Sequence, residues 1–135
     1  MPETGTEPWE YTLHIPNDVR AVTVSRRTLR LILAMHGLIG LVDTAELLAA
    51  ELVANAVTHT KGPAALRVGW SAGVLRIGAW DADPEPPRLR AELLGEAEEG
   101  WGLVLVRDCA DVWGWQPMAG RGNRGKFVWC ELAAA

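Results

Sequence analysis

Apolar and polar positions recur along this chain with two different periods, and the switches between them mark the elements. Between Tyr11 and Ile15, Leu13 and Ile15 share one face, which predicts a short strand. Pro16-Asn17-Asp18 then offers a helix start, with Asn17 or Asp18 as the cap. From Val19 to His36 the residues Val22, Leu29, Ile32, Leu33 and His36 recur at helical spacing, with Arg20, Arg26, Arg27 and Arg30 between them. That is an amphipathic helix, and Gly37 and Gly40 mark its end. Asp43-Thr44-Ala45-Glu46 resembles a capping box opening a second helix, rich in Ala and Leu, that runs to about His59.

The period then changes to two. Leu66, Val68 and Trp70 alternate with Arg67 and Gly69; after Ser71-Ala72-Gly73, Leu75, Ile77 and Ala79 alternate again. Two such runs around a glycine-bearing turn predict a β-hairpin. Residues 82–99 have no clear period and contain Pro84, Pro86 and Pro87, with a short helix possible over Arg88 to Leu94. A connection this long is uncommon in a small domain and suits a lid or binding loop. Gly100-Trp101-Gly102 predicts the start of a third helix, Leu103 to about Asp111. Trp113 to Met118 and Lys126 to Leu132 predict a second hairpin around a turn from Ala119 to Gly125. The order β-α-α-β-β-lid-α-β-β predicts an α+β, two-layer α/β sandwich: a mixed, mostly antiparallel sheet with helices on one face. Residues 1–8 predict a disordered tail, and 9–135 a single domain.

Composition narrows the chemistry. A net charge of −4 and a pI near 5.3 argue against electrostatic capture of nucleic acid or an anionic membrane. Seven tryptophans are therefore read as packing residues, not as a base-stacking platform. Cys109 and Cys130 form neither a CxxC pair nor a disulfide framework, which fits a reducing cytoplasm. No apolar run is long enough for a membrane span, and the first ten residues lack the basic and apolar regions of a signal peptide. Gly120 to Lys126 satisfies the GxxxxGK half of a P-loop, but Phe127 follows instead of Ser or Thr, and a strand follows instead of a helix. Ser25 and Ser71 lie in no GxSxG elbow. His14, His36 and His59 fall on three elements without metal-ligand spacing.

Three features suit one polyphosphate ligand. Glu51 and Asn55 stand at i and i+4 on the second helix, and His59 continues that face. Asn55 can give magnesium its amide oxygen, since Mg²⁺ usually takes few protein ligands and keeps waters and phosphate oxygens. Glu51, one turn away, can accept a proton from an attacking hydroxyl. Trp80-Asp81-Ala82-Asp83-Pro84 places a carboxylate at the end of a hairpin strand, where it can accept from the exocyclic amine of adenine. Gly100 and Gly102, before Leu103, open a helix whose N-terminus favours an anion.

"ELVANAVTHT" (51–60), "WDADPEPP" (80–87), "GWGLVLVRDCADVWGW" (100–115) and "GKFVWCEL" (125–132) resemble the motifs of the GHKL ATPase/kinase superfamily. The resemblance covers about Trp9 to Leu132 and is nearest to the anti-sigma factor serine/threonine kinases related to RsbW and SpoIIAB, abundant in actinomycetes. It implies a Bergerat-type ATP site. In that site Asn55 holds Mg²⁺, Glu51 is the general base, Asp81 reads adenine, and Gly100 and Gly102 touch phosphate. His59, Asp83 and Leu103 complete the expected nucleotide contacts. It also implies a protein that sequesters a sigma factor, phosphorylates a serine or threonine of a STAS-domain antagonist, and often forms homodimers. Two positions depart from the pattern: Asp83, where members carry Gly, and Phe127, where a small hydroxyl residue is frequent near the adenine end. These departures favour an alternative, a non-catalytic protein-binding regulatory module with weak or no nucleotide binding.

Overall fold

The computed structural model describes residues 7–59, 63–83, 106, 108–120 and 123–134. Among them the chain forms β1 (Trp9–Ile15), α1 (Arg20–Met35), a 3₁₀ turn (Ile39–Leu41) and α2 (Val42–His59). The strands β2 (Ala64–Ser71), β3 (Val74–Asp81), β4 (Val112–Gly120) and β5 (Asn123–Ala133) complete it. The five strands make one sheet in the order β1-β2-β3-β5-β4. Every pairing among them is antiparallel, so the expected mixed sheet is corrected to an antiparallel one. The result is an α+β arrangement compatible with a two-layer sandwich. The expected tail through residue 6, the loop over 84–99 and most of the third helix lie outside the described residues. Of that third helix, Val106, Asp108 and Cys109 are helical, and Val106 is buried in the core. No helix among the described residues is long and apolar enough to cross a membrane.

α1 ends as its glycine predicts. Gly37 adopts φ 75°, Leu38 N–H reaches the carbonyl of Leu33 at 2.8 Å, and Gly37 N–H that of Ala34 at 3.2 Å. Those crossed bonds are the Schellman closure, which satisfies carbonyls left over at a helix end. The start of α1 differs from expectation: Val19, and not Asn17 or Asp18, holds the cap position, and no side chain caps the helix there. Asp18 accepts from the amide of Arg20 at 2.9 Å, whereas Asn17 turns away and donates to the carbonyl of Val57 in α2 at 3.2 Å. α2 begins at Val42, straight from the 3₁₀ turn, so Asp43 lies inside its first turn instead of capping it. Glu46 faces Arg30 of α1 at 3.5 Å, which makes it a cross-helix partner and not the return arm of a capping box.

The period-two runs place Leu66, Val68 and Trp70 of β2, Leu75, Ile77 and Ala79 of β3, and Val128, Cys130 and Leu132 of β5 on one face. That face meets α2, which lies over β3, with α1 packed beside it. α2 buries Ala45, Leu48, Ala49, Leu52, Val53, Ala56 and Val57, because it touches both the sheet and α1. β4 and β5 run further toward each other than the alternation suggests. Gly120 pairs with Asn123, so the broad turn expected from Ala119 to Gly125 is mostly strand.

The opposite sheet face has Arg67, Arg76, Trp80, Phe127 and Trp129. The Arg76 guanidinium sits 4.2 Å from the Trp129 ring centroid and that of Arg67 5.4 Å from Phe127. Gly78 and Gly114 leave room for those two rings; a Cβ on either would strike them.

Candidate functional site

Asp81 is the last residue of β3. Strand alternation from Leu75 through Ile77 and Ala79 turns it to the helix side, and it ends 1% exposed. The β3–β5 register sets Lys126 directly across on the same face, 3% exposed. Lys126 Nζ lies 3.1 Å from Asp81 Oδ1 and donates as well to the Asp83 carbonyl at 3.1 Å. The Asp83 amide donates to the same Oδ1 at 2.9 Å. Two donors therefore converge on one carboxylate oxygen, and the ammonium ties the first residues beyond β3 to β5. Burial raises the Asp81 carboxyl above the usual carboxylate range, against the downward pull of the Asp83 amide and Lys126.

The same register corrects the reading of Phe127. It pairs with Trp80 on the face opposite α2, beneath Arg67, and does not stand beside Asp81. The side chain next to that carboxylate is Lys126, which the expected motif did not single out. Period two makes the distinction absolute, because adjacent strand residues point to opposite faces. GK before FVW, read against the β3 pattern, was the available signal.

Glu51 and Asn55 are half-buried on one face of α2. α2 ends at His59, and Ala64, five positions on, lies opposite Asp81 in the sheet. The last turns of α2 thus approach the end of the sheet that carries Asp81. Among the described residues neither Glu51 nor Asn55 makes a side-chain hydrogen bond or ion pair. The His59 side chain and all of Gly100, Gly102 and Leu103 lie outside the described residues. Asp83 takes part through its backbone, as both donor to Asp81 and acceptor from Lys126. No cluster of three or more His, Cys, Asp or Glu able to hold a metal occurs among the described residues.

These residues fit a magnesium nucleotide unevenly. An amide oxygen and a carboxylate one turn apart suit a metal-bound phosphate beside a hydroxyl to be deprotonated. At the base-reading end, Oδ1 of Asp81 already accepts two hydrogen bonds, one from a cation. Comparison with known proteins adds no assignment: no family model matches the chain, and a search of curated proteins gives no match.

Proposed function

We propose that this chain is an ATP-binding anti-sigma regulatory factor of the GHKL type. It phosphorylates a serine or threonine of a STAS-domain antagonist and sequesters a sigma factor. The observation that carries this reading is the pair Glu51–Asn55, half-buried and without partners among the described residues, on the helix that packs over the strand ending in Asp81. Bound magnesium nucleotide would supply the transferable phosphoryl group. Asn55 holds the metal through its amide oxygen, and Glu51 orients the incoming hydroxyl and takes its proton. Phosphoryl transfer demands little more of a protein than positioning and charge neutralisation.

The test is phosphate transfer from ATP and Mg²⁺ to candidate STAS-domain proteins, comparing the unaltered chain with Glu51→Gln. Loss of a general base lowers the transfer rate by roughly 10²–10⁴-fold. Equal transfer by both chains removes Glu51 from that role.

One observation favours a second reading. With Lys126 held against Asp81, the chain can serve as a non-catalytic module that binds a regulatory protein with weak or no use of nucleotide. Calorimetry at millimolar ATP and Mg²⁺ separates the two: absence of heat, together with an unshifted melting temperature, leaves only this second reading.

A further inference from the structure

We propose that the sheet face opposite α2 carries a second binding site, a cavity over Ala65 that takes a planar aromatic carboxylate. The cavity encloses about 310 Å³ beside the start of β2. Strand register builds its lining. His14, Ala65, Trp80 and Phe127 stand in one row across β1, β2, β3 and β5, with Thr12 and Arg67 in the next row. All six border the cavity. Ala65 is the small member of its row, so the floor there is open between the His14 and Trp80 positions. Their strands lie two spacings apart, roughly 10 Å, which leaves room for a flat ring laid against the indole.

The polar part of the lining selects an anion. Among the described residues it contains no carboxylate side chain, whereas Arg67 is a permanent cation. The Arg67 guanidinium is braced 5.4 Å from the Phe127 ring centroid and has its Nε 3.5 Å from Glu10 Oε2. That ion pair is about half exposed on both sides, at 50% and 59%, and an exposed pair is worth little. A guanidinium has five N–H donors, so a ligand carboxylate that meets it with both oxygens gains more than Glu10 supplies. Thr12 and His14 add a hydroxyl and a ring nitrogen on the β1 side. The rings of Trp80 and Phe127 hold the apolar body of the ligand, which gives Phe127 a use on this face that it lacks beside Asp81. Asp81 and Lys126 face the other side of the sheet, so this site stands or falls apart from the nucleotide reading.

The measurement is calorimetric affinity for three probes: 2-naphthoate, its neutral amide 2-naphthamide, and the non-aromatic anion cyclohexanecarboxylate. The unaltered chain, Ala65→Leu and Arg67→Gln are compared, with circular dichroism establishing that each is folded. Arg67 is half exposed, so its variant decides the matter should Ala65→Leu not fold. The unaltered chain is expected to bind 2-naphthoate at one saturable site, and the other two probes roughly fivefold or more weakly, the worth of a charged hydrogen bond or of a stacked ring. Ala65→Leu fills the floor and weakens 2-naphthoate by roughly tenfold or more, while Arg67→Gln brings 2-naphthoate and 2-naphthamide within about twofold of each other. Absence of saturable 2-naphthoate binding at about 5 mM overturns the inference. So does equal affinity for the three probes, an unchanged affinity in folded Ala65→Leu, or a preference for the anion that survives in Arg67→Gln.

Discussion

Asp81 and Lys126 are opposite charges held out of water, and each is tolerable there only because of the other. Removing one partner of a buried pair typically costs about 3–5 kcal/mol, since it strands the remaining charge. Lys126→Met should lose about that much stability at pH 7, read by urea unfolding. The pH dependence has a definite sign. Burial already raises the Asp81 carboxyl, and loss of the cation removes one of the influences that lower it. A group whose pKa is raised in the fold stabilises below its unfolded value and loses that contribution as pH rises through the folded value. The variant should therefore be more stable at pH 5 than at pH 7, and an equal or lower stability at pH 5 would refute the charge argument. Asp18 has the opposite sign: its hydrogen bond from the Arg20 side chain holds it down at about 2, so its contribution fades as pH falls toward that value. Asp81 was legible in the sequence as a carboxylate ending an alternating strand. Its partner was legible only as the residue alternating with Phe127; that Lys126 meets Asp81 is set by a strand register spanning 45 positions.

Elements were legible where one local rule decided them. The alternation Leu66-Val68-Trp70 and Leu75-Ile77-Ala79 needs only a buried face, and Gly37 needs only a left-handed helix end. The start of α2 was not, because the 3₁₀ turn Ile39–Leu41 feeds the helix directly and Arg30 of a neighbouring helix claims Glu46. Such tertiary partners override a local capping pattern. The β2–β3 turn is a case of local chemistry left imperfect. Ala72 and Gly73 both have positive φ, 53° and 80°, the pattern of a two-residue I′ hairpin. An L-residue with a Cβ is strained there by roughly 1–2 kcal/mol. Ala72→Gly should raise thermal stability by up to about 1 kcal/mol, after the greater chain entropy of glycine is deducted. An unchanged or lower melting temperature would show that the turn carries no such strain.

Across the whole molecule, α1 shows how one helix can present two apolar stripes with different fates. Ala21, Leu29 and Leu33 are buried with Ser25 on the side of α1 that packs against α2, while Val24, Leu31 and Met35 recur on the outer side at 55%, 62% and 76% exposure. Truncating the first stripe opens a cavity; truncating the second does not. Leu29→Ala should cost about 2–5 kcal/mol in chemical unfolding, and Leu31→Ala less than about 1 kcal/mol. Similar losses at both positions would mean that the outer stripe is covered.

The sheet begins and ends in strands bonded on one side only among the described residues, β1 and β4. Pro117, midway along β4, contributes no amide hydrogen there, so a foreign segment trying to zip onto that rim meets a gap in the ladder. Trp9 to Ile15 contains no such interruption. Runaway polymerisation of destabilised chains has a smoother template at that rim, and a proline placed within β1 is the natural guard against it.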